Sequence, residues 1–263
     1  LADAYSLGGA PSMGPFDARE RTERARAAAQ RALALAGHMS ETHTAMGGVL
    51  FFGDRDAAAA ERSFIRAIEL NPNYPIAHQW LAILLAERGR DGEARRHAET
   101  AVALDPMEAT FHQAAGLVHY YGRRYGDAVA AERRALEIRP QLPFARVMLI
   151  KSQIMGGDAA AAVRSCGEVQ ATTSVNVELV VNCGIALDRA GDARAAALRN
   201  RLEAMRPRPA SALMQWHAAT GNLAVAFDMI SALRTANNLP PNLAFDPLFE
   251  PLRNDERYAK LLR

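Results

Sequence analysis

The residues that could carry chemistry are few. The chain holds seven histidines and two cysteines. His43, His78 and His112 recur at steps of 35 and 34 residues. A column of this kind could suggest a metal ladder. Packed helices, however, lie about 10 Å apart, and zinc needs its ligands at about 2 Å. We therefore read the three as packing and hydrogen-bonding residues. Cys166 and Cys183 fall on apolar helical faces, and we expect buried small hydrophobes rather than a functional disulfide. The sequence has no G-x-x-x-x-G-K-[ST], no G-x-G-x-x-G opening a helix, no H-E-x-x-H, no C-x-x-C and no G-x-S-x-G. No nucleophile, base and orienting group can be assembled. The expectation is a non-enzyme with no catalytic residue, no metal site and no cofactor.

The elements that must position any binding surface come from composition and pattern. The 263 residues carry 31 Lys+Arg against 29 Asp+Glu, a net charge of +2. So close a balance argues against direct nucleic-acid binding by this region. The arginine clusters, at 19–26 and 199–208 among others, are interleaved with acids and read as solvated helix faces, RNRLEAMRPRP being the most basic. No run of about 18 apolar residues marks a membrane span. The opening LADAYSLGGA is not a signal peptide and reads like the middle of an amphipathic helix, as if cut from something longer. Apolar residues make up 49% and aromatics only 6%, with alanine runs throughout, which favours helix over strand.

A repeat organises the chain. Pro72, Pro106 and Pro140 are spaced by 34 residues, and Ala67, Ala101 and Ala135 keep the same step. So do Ala60, Ala94 and Ala128, which the frame extends to Ala162 and Ala196, and Gly48, Ala82 and Gly116, extended to Ile150 and Gly184. Each repeat reads as two helices, as in 75–88 and 92–104, with Gly89 stopping the first and Asp91 capping the second. Gly-Asx pairs at 53–54, 126–127, 157–158, 191–192 and 221–222 offer a left-handed C-cap followed by an N-cap oxygen. Small residues let the paired helices approach closely, and one pair must stack on the next to bury its apolar faces.

The 34-residue helix-turn-helix pattern resembles the tetratricopeptide-repeat (TPR) family. Its signature places fall on Ala82, Leu85, Ala94, Ala98, Ala101 and Pro106. Leu81 takes the leucine place, and His78 departs from the family's tryptophan. Later repeats decay, with Ser174 where proline belongs. The resemblance implies an all-α, right-handed superhelix (α-solenoid) of stacked antiparallel helix pairs. Residues 1–235 would form six to seven pairs, the first truncated, and 236–263 a loop and C-terminal capping helix. The opening LADAYSLGG and the ending FDPLFEPLRNDERYAKLLR are similar to the TPR region of bacterial winged-helix transcriptional regulators and adenylate cyclases. That likeness implies an effector domain upstream, DNA-binding or cyclase, and a cytoplasmic site, or a periplasmic one where the parent is membrane-anchored. The alternative is a free-standing TPR scaffold.

In such an array the first helix of each pair lines the concave side. The helical frame puts Phe51, Phe52, Gln79, Ile83, Gln113, Leu117, Tyr120, Tyr121, Lys151 and Met155 there, with Trp80 and Met148 at the edge. An exposed apolar stripe with polar-tipped aromatics suits a protein or peptide partner. Gln79 and Gln113 could hold the backbone of an extended peptide. Lys151 alone is too little for a clamp on a carboxylate-ended ligand.

Overall fold

A computed structural model describes residues 18–167, 176–236, 238–240 and 242–261. The opening helix expected at LADAYSLGG and the Ser174 position lie outside these. Among the described residues every regular element is helical and there is no strand. In chain order the helices are α1 (Ala18–Ala36), α2 (Ser40–Gly48), which runs on into a π turn (Val49–Gly53), α3 (Ala57–Leu70), α4 (Pro75–Glu87), α5 (Asp91–Leu104), α6 (Ala109–Tyr121), α7 (Tyr125–Ile138), α8 (Pro143–Met155), α9 (Ala159–Gly167), α10 (Val177–Arg189), α11 (Arg194–Ala204), α12 (Ala210–Ala219) and α13 (Leu223–Thr235). A 3-10 turn (Pro247–Phe249), α14 (Glu250–Arg253) and α15 (Glu256–Leu261) finish the chain. It forms two compact units, Leu1–Val118 and His119–Arg263, and the division falls within α6.

In the N-terminal unit α4 and α5 pack as the expected pair, and the small residues have the expected reason. Ala77, Ala82, Ala94 and Ala101 are fully buried at the seam, with Leu81, Leu84 and Leu85 around them. Pro75 opens α4, where a missing N–H costs nothing, and Asp105 turns extended ahead of Pro106 to end α5. Asp91 is the first residue of α5 rather than its cap.

The unequal histidine steps have a structural cause. One extra residue lies between His43 and Ala60, and the π turn at Val49–Gly53 absorbs it. The small position matching Ala82 is therefore Gly47, not Gly48. A Cβ on Gly47 would collide with the Phe64 ring, whereas one on Gly48 would meet nothing within 4 Å. Each of the three histidines places Nε2 against the carbonyl six residues earlier: His43 to Gly37 at 2.9 Å, His78 to Pro72 at 3.0 Å and His112 to Pro106 at 2.9 Å. A carbonyl only accepts, so Nε2 carries the proton. In the C-terminal unit Arg146 does the same to Pro140 at 3.0 Å.

The turns that end α4, α6, α8, α10 and α12 obey one rule. The second residue past the helix end adopts positive φ, and the next N–H bonds back to the carbonyl five residues earlier. Gly89, Gly157, Gly191 and Gly221 fill that place. At two turns where a Gly-Asx pair was expected to bend, an arginine takes positive φ instead: Arg123 (φ 59°), and Arg55 (φ 57°) after the π turn, where the next N–H reaches back six residues, from Asp56 to Leu50. The π turn runs on through Gly53, so the bend comes later than expected there, whereas α6 ends at Tyr121 and leaves Gly126 inside α7. Asp158 caps α9 through the Ala161 N–H at 2.8 Å, whereas Asn222 makes no cap bond.

The C-terminal unit holds the main correction. Cys166 and Cys183 are joined in a disulfide that ties α9 to α10. Both remain buried, in an apolar cluster with Ile185, Leu202 and Trp216. Gly184 lets Trp216 press against α10, since a Cβ there would collide with the indole. Past Ala162 the frame slips by one, so that Ala195 is buried and Ala196 exposed. Arg189 donates to the carbonyls of Ile154 (3.1 Å) and Ala219 (3.0 Å), tying together the C-terminal ends of α8, α10 and α12. Removing the crosslink, by Cys166→Ser with Cys183→Ser, should cost about 3 kcal/mol for a loop of this length. Urea unfolding with and without reductant checks this; an unchanged midpoint would contradict the crosslink's structural role.

Candidate functional site

In the N-terminal unit the first helices carry a cluster of aromatic rings. The π turn brings Phe51 and Phe52 together at 4.8 Å between ring centroids, and Phe52 meets Trp80 edge-on at 5.2 Å. Phe52 and Trp80 are half-buried, while Phe51, Ile83 and Leu117 are buried. Gln79 does not stay free for a ligand: it is buried, and its amide donates to the Thr110 carbonyl at 3.2 Å. Gln113 is half-buried. Farther along α4, Glu87 is half-buried and has no hydrogen-bond partner among the described residues. Burial pushes its carboxyl up to about 7, with the charge of Arg55 pulling the other way.

The first helices of the C-terminal unit are occupied differently. Asp246, fully buried, accepts hydrogen bonds from the Tyr120 hydroxyl (2.7 Å), Lys151 Nζ (2.6 Å), Asn242 Nδ2 (2.9 Å) and the Leu248 N–H (2.9 Å). Lys151 also sits 5.1 Å from the Tyr120 ring centroid. Phe245 meets Tyr121 edge-on at 5.2 Å, and Glu250 pairs with Arg123 at 3.0 Å. Leu248, Phe249 and Leu252 are buried in the clusters built on α10, α12 and α13. The chain's own end thus lies on the face where an open groove was expected. Tyr120, Met148 and Lys151 are core residues here, corrected from groove lining, and Met155 packs against the Trp216 cluster. Lys151 does hold a carboxylate, but an internal one.

Burial alone would push the Asp246 carboxyl up. The Lys151 charge, with hydrogen bonds from Lys151, Leu248 and Tyr120, pulls it below its ordinary value. Burial, and then Asp246, push the Tyr120 hydroxyl well up. Sequence reasoning missed Asp246 and Glu87. The signal for the first was an Asp-Pro step inside an apolar FDPLF, where a charge needs a partner.

A tetratricopeptide-repeat family model matches residues 63–96, the stretch from α3 into α5. The fold is that of the tetratricopeptide repeat. Small glutamine-rich tetratricopeptide repeat-containing protein 2 of Mycosarcoma maydis is 30% identical over 86 residues, which cover 33% of this chain and 24% of that protein. Two solved structures share the TPR architecture. PilW, a widely conserved type IV pilus biogenesis factor, has a TM-score of 0.67 at 20% identity, over 81% of this chain and 93% of that one. YrrB, a TPR protein with an unusual peptide-binding site, has a TM-score of 0.52 at 16% identity, over 71% and 96%. No helix among the described residues is long and apolar enough to cross a membrane.

Asp246→Ala should destabilise the chain by about 3–5 kcal/mol, because it strands Lys151 without its counter-charge. The sign with pH follows from the lowered carboxyl. Its stabilisation is present above the ordinary value of 3.8 and is lost as pH falls through the lower folded value. Urea unfolding of both proteins between pH 7 and 3 checks this: the acid-dependent loss below about pH 4 should shrink in the variant.

Proposed function

We propose that this chain is a non-enzymatic interaction module that holds a peptide or partner segment on the first helices of its N-terminal unit, with residues 1–235 as the repeat array and 236–263 as its cap. The observation that carries this reading is the Phe52–Trp80 pair, left half-buried in the N-terminal unit while the chain's own end covers Tyr120 and Lys151 in the other. Large amphipathic rings on a rigid helix make economical anchors, since they lose little rotamer freedom on binding. The peptide-binding site of YrrB supports a peptide as the occupant.

Two settings fit the module. In a bacterial transcriptional regulator or signalling protein, ligand binding would favour one arrangement of the helix pairs and so bias an attached DNA-binding or cyclase domain. The regulator-like ending supports this one. In a free-standing scaffold the same surface would hold an assembly partner. Reading the gene upstream of Leu1 separates them. The Cys166–Cys183 bond supports an oxidising compartment, hence the periplasmic alternative over the cytoplasmic one.

Peptides selected from a random displayed library on the intact chain should bind through the aromatic pair. Trp80→Ala should weaken them at least about tenfold, the effect of losing a hot-spot ring, while circular dichroism shows the helical fold retained. Fluorescence-anisotropy titration reads this. Selected peptides that bind Trp80→Ala as tightly as the parent would overturn the assignment.

A further inference from the structure

The N-terminal unit carries a second polar feature that the aromatic pair does not explain. Trp80, Ile83 and Glu87 stand at i, i+3 and i+7 on α4, and so share one face of the helix. Glu87 is half-buried beside Arg55, close enough to feel its charge, yet the two make no ion pair within 4.0 Å. Arg55 stands at φ 57° in the turn after the π segment. Neighbouring acids are already used: Asp54 pairs with Arg26, and Asp56 caps α3 through the Ala59 N–H at 2.9 Å. Glu87 is thus a partly desolvated carboxylate on the same strip as a half-buried ring pair, with no partner of its own among the described residues.

We propose that the segment bound by the N-terminal unit is basic: it places an apolar side chain against Phe52 and Trp80 and a Lys or Arg side chain on the Glu87 carboxylate. This rests on the interaction reading given above. Charge complementarity selects the occupant. A carboxylate already stripped of part of its water gains more from an arriving cation than an exposed one does, and an acidic or neutral segment would leave it unpaired. The spacing sets the register. Seven residues of helix span about 10 Å at 1.5 Å per residue. An extended peptide advances about 3.3 Å per residue, so the cation should lie about three residues from the apolar anchor. The charged form of Glu87, disfavoured by burial alone, would become the stable one in the complex.

The test uses the intact chain and a random peptide library displayed on phage. Peptides whose binding depends on Trp80 should be enriched in Lys or Arg about three residues from a Leu, Phe or Trp. Glu87→Gln should weaken them about tenfold, and should have no effect on the same peptides with the basic residue changed to Gln. Glu87→Lys should reverse the selection toward Asp and Glu. Circular dichroism of each variant establishes that it folds. Trp80-dependent peptides with no basic bias, or with affinities indifferent to Glu87→Gln, overturn this inference and leave the interaction reading standing. A library that yields no Trp80-dependent peptide overturns both.

Discussion

A carboxylate with no exposed surface governs the C-terminal unit. Moving such a charge out of water costs several kcal/mol unless its lone pairs are filled and a counter-ion stands close. Asp246 meets both conditions with four donors, one of them the Lys151 ammonium. Neither Lys151 nor Tyr120 could be buried without it, because an ammonium and a phenol hydroxyl would be left unsatisfied. The three groups therefore stand or fall together. They fix the register of the segment after α13, and that register seats Leu248, Phe249 and Leu252 in the apolar clusters. Arg253 closes the arrangement from the other side, donating to the carbonyls of Leu243 (3.0 Å) and Asp246 (2.8 Å).

That constraint separates the roles of the two units. Wherever the first helices carry a polar group at an inner position, the group must find a partner or stay wet. In the C-terminal unit the chain supplies the partner from its own end. In the N-terminal unit Gln79 finds a backbone carbonyl, and Glu87 finds none among the described residues. The same repeat frame thus carries a face covered by the chain's own later segment in one unit and a half-buried carboxyl with no partner among the described residues in the other, because the side chains set into equivalent helices differ in what satisfies them.

Local chemistry was legible in the sequence and long-range chemistry was not. The 34-residue step, the buried alanines and the bounds of α4 and α5 follow from periodicity, proline and glycine, all acting within a few residues. The contact of Asp246 with Tyr120 spans 126 residues, and that with Lys151 spans 95, distances over which no spacing rule operates. Tyr120 and Lys151 read as open-groove residues because the helical frame gives a face but not what covers it. The π turn hid in plain view as a step of 35 against 34, and it moved the small position from Gly48 to Gly47. Arg55 and Arg123 were passed over because glycine is the default at positive φ, whereas the helix end, not the residue type, decided which position bent. The Cys166–Cys183 bond needed the relative placement of α9 and α10, which the decayed repeat left open.

Hydroxyl-radical footprinting of the intact chain, read by peptide mass spectrometry at Trp80, Tyr120 and Trp216, tests the division between an open and an occupied inner face most directly. We expect ready oxidation at Trp80 and protection at Tyr120 and Trp216. Oxidation of Tyr120 as fast as Trp80 would contradict a C-terminal segment seated on Tyr120 and Lys151.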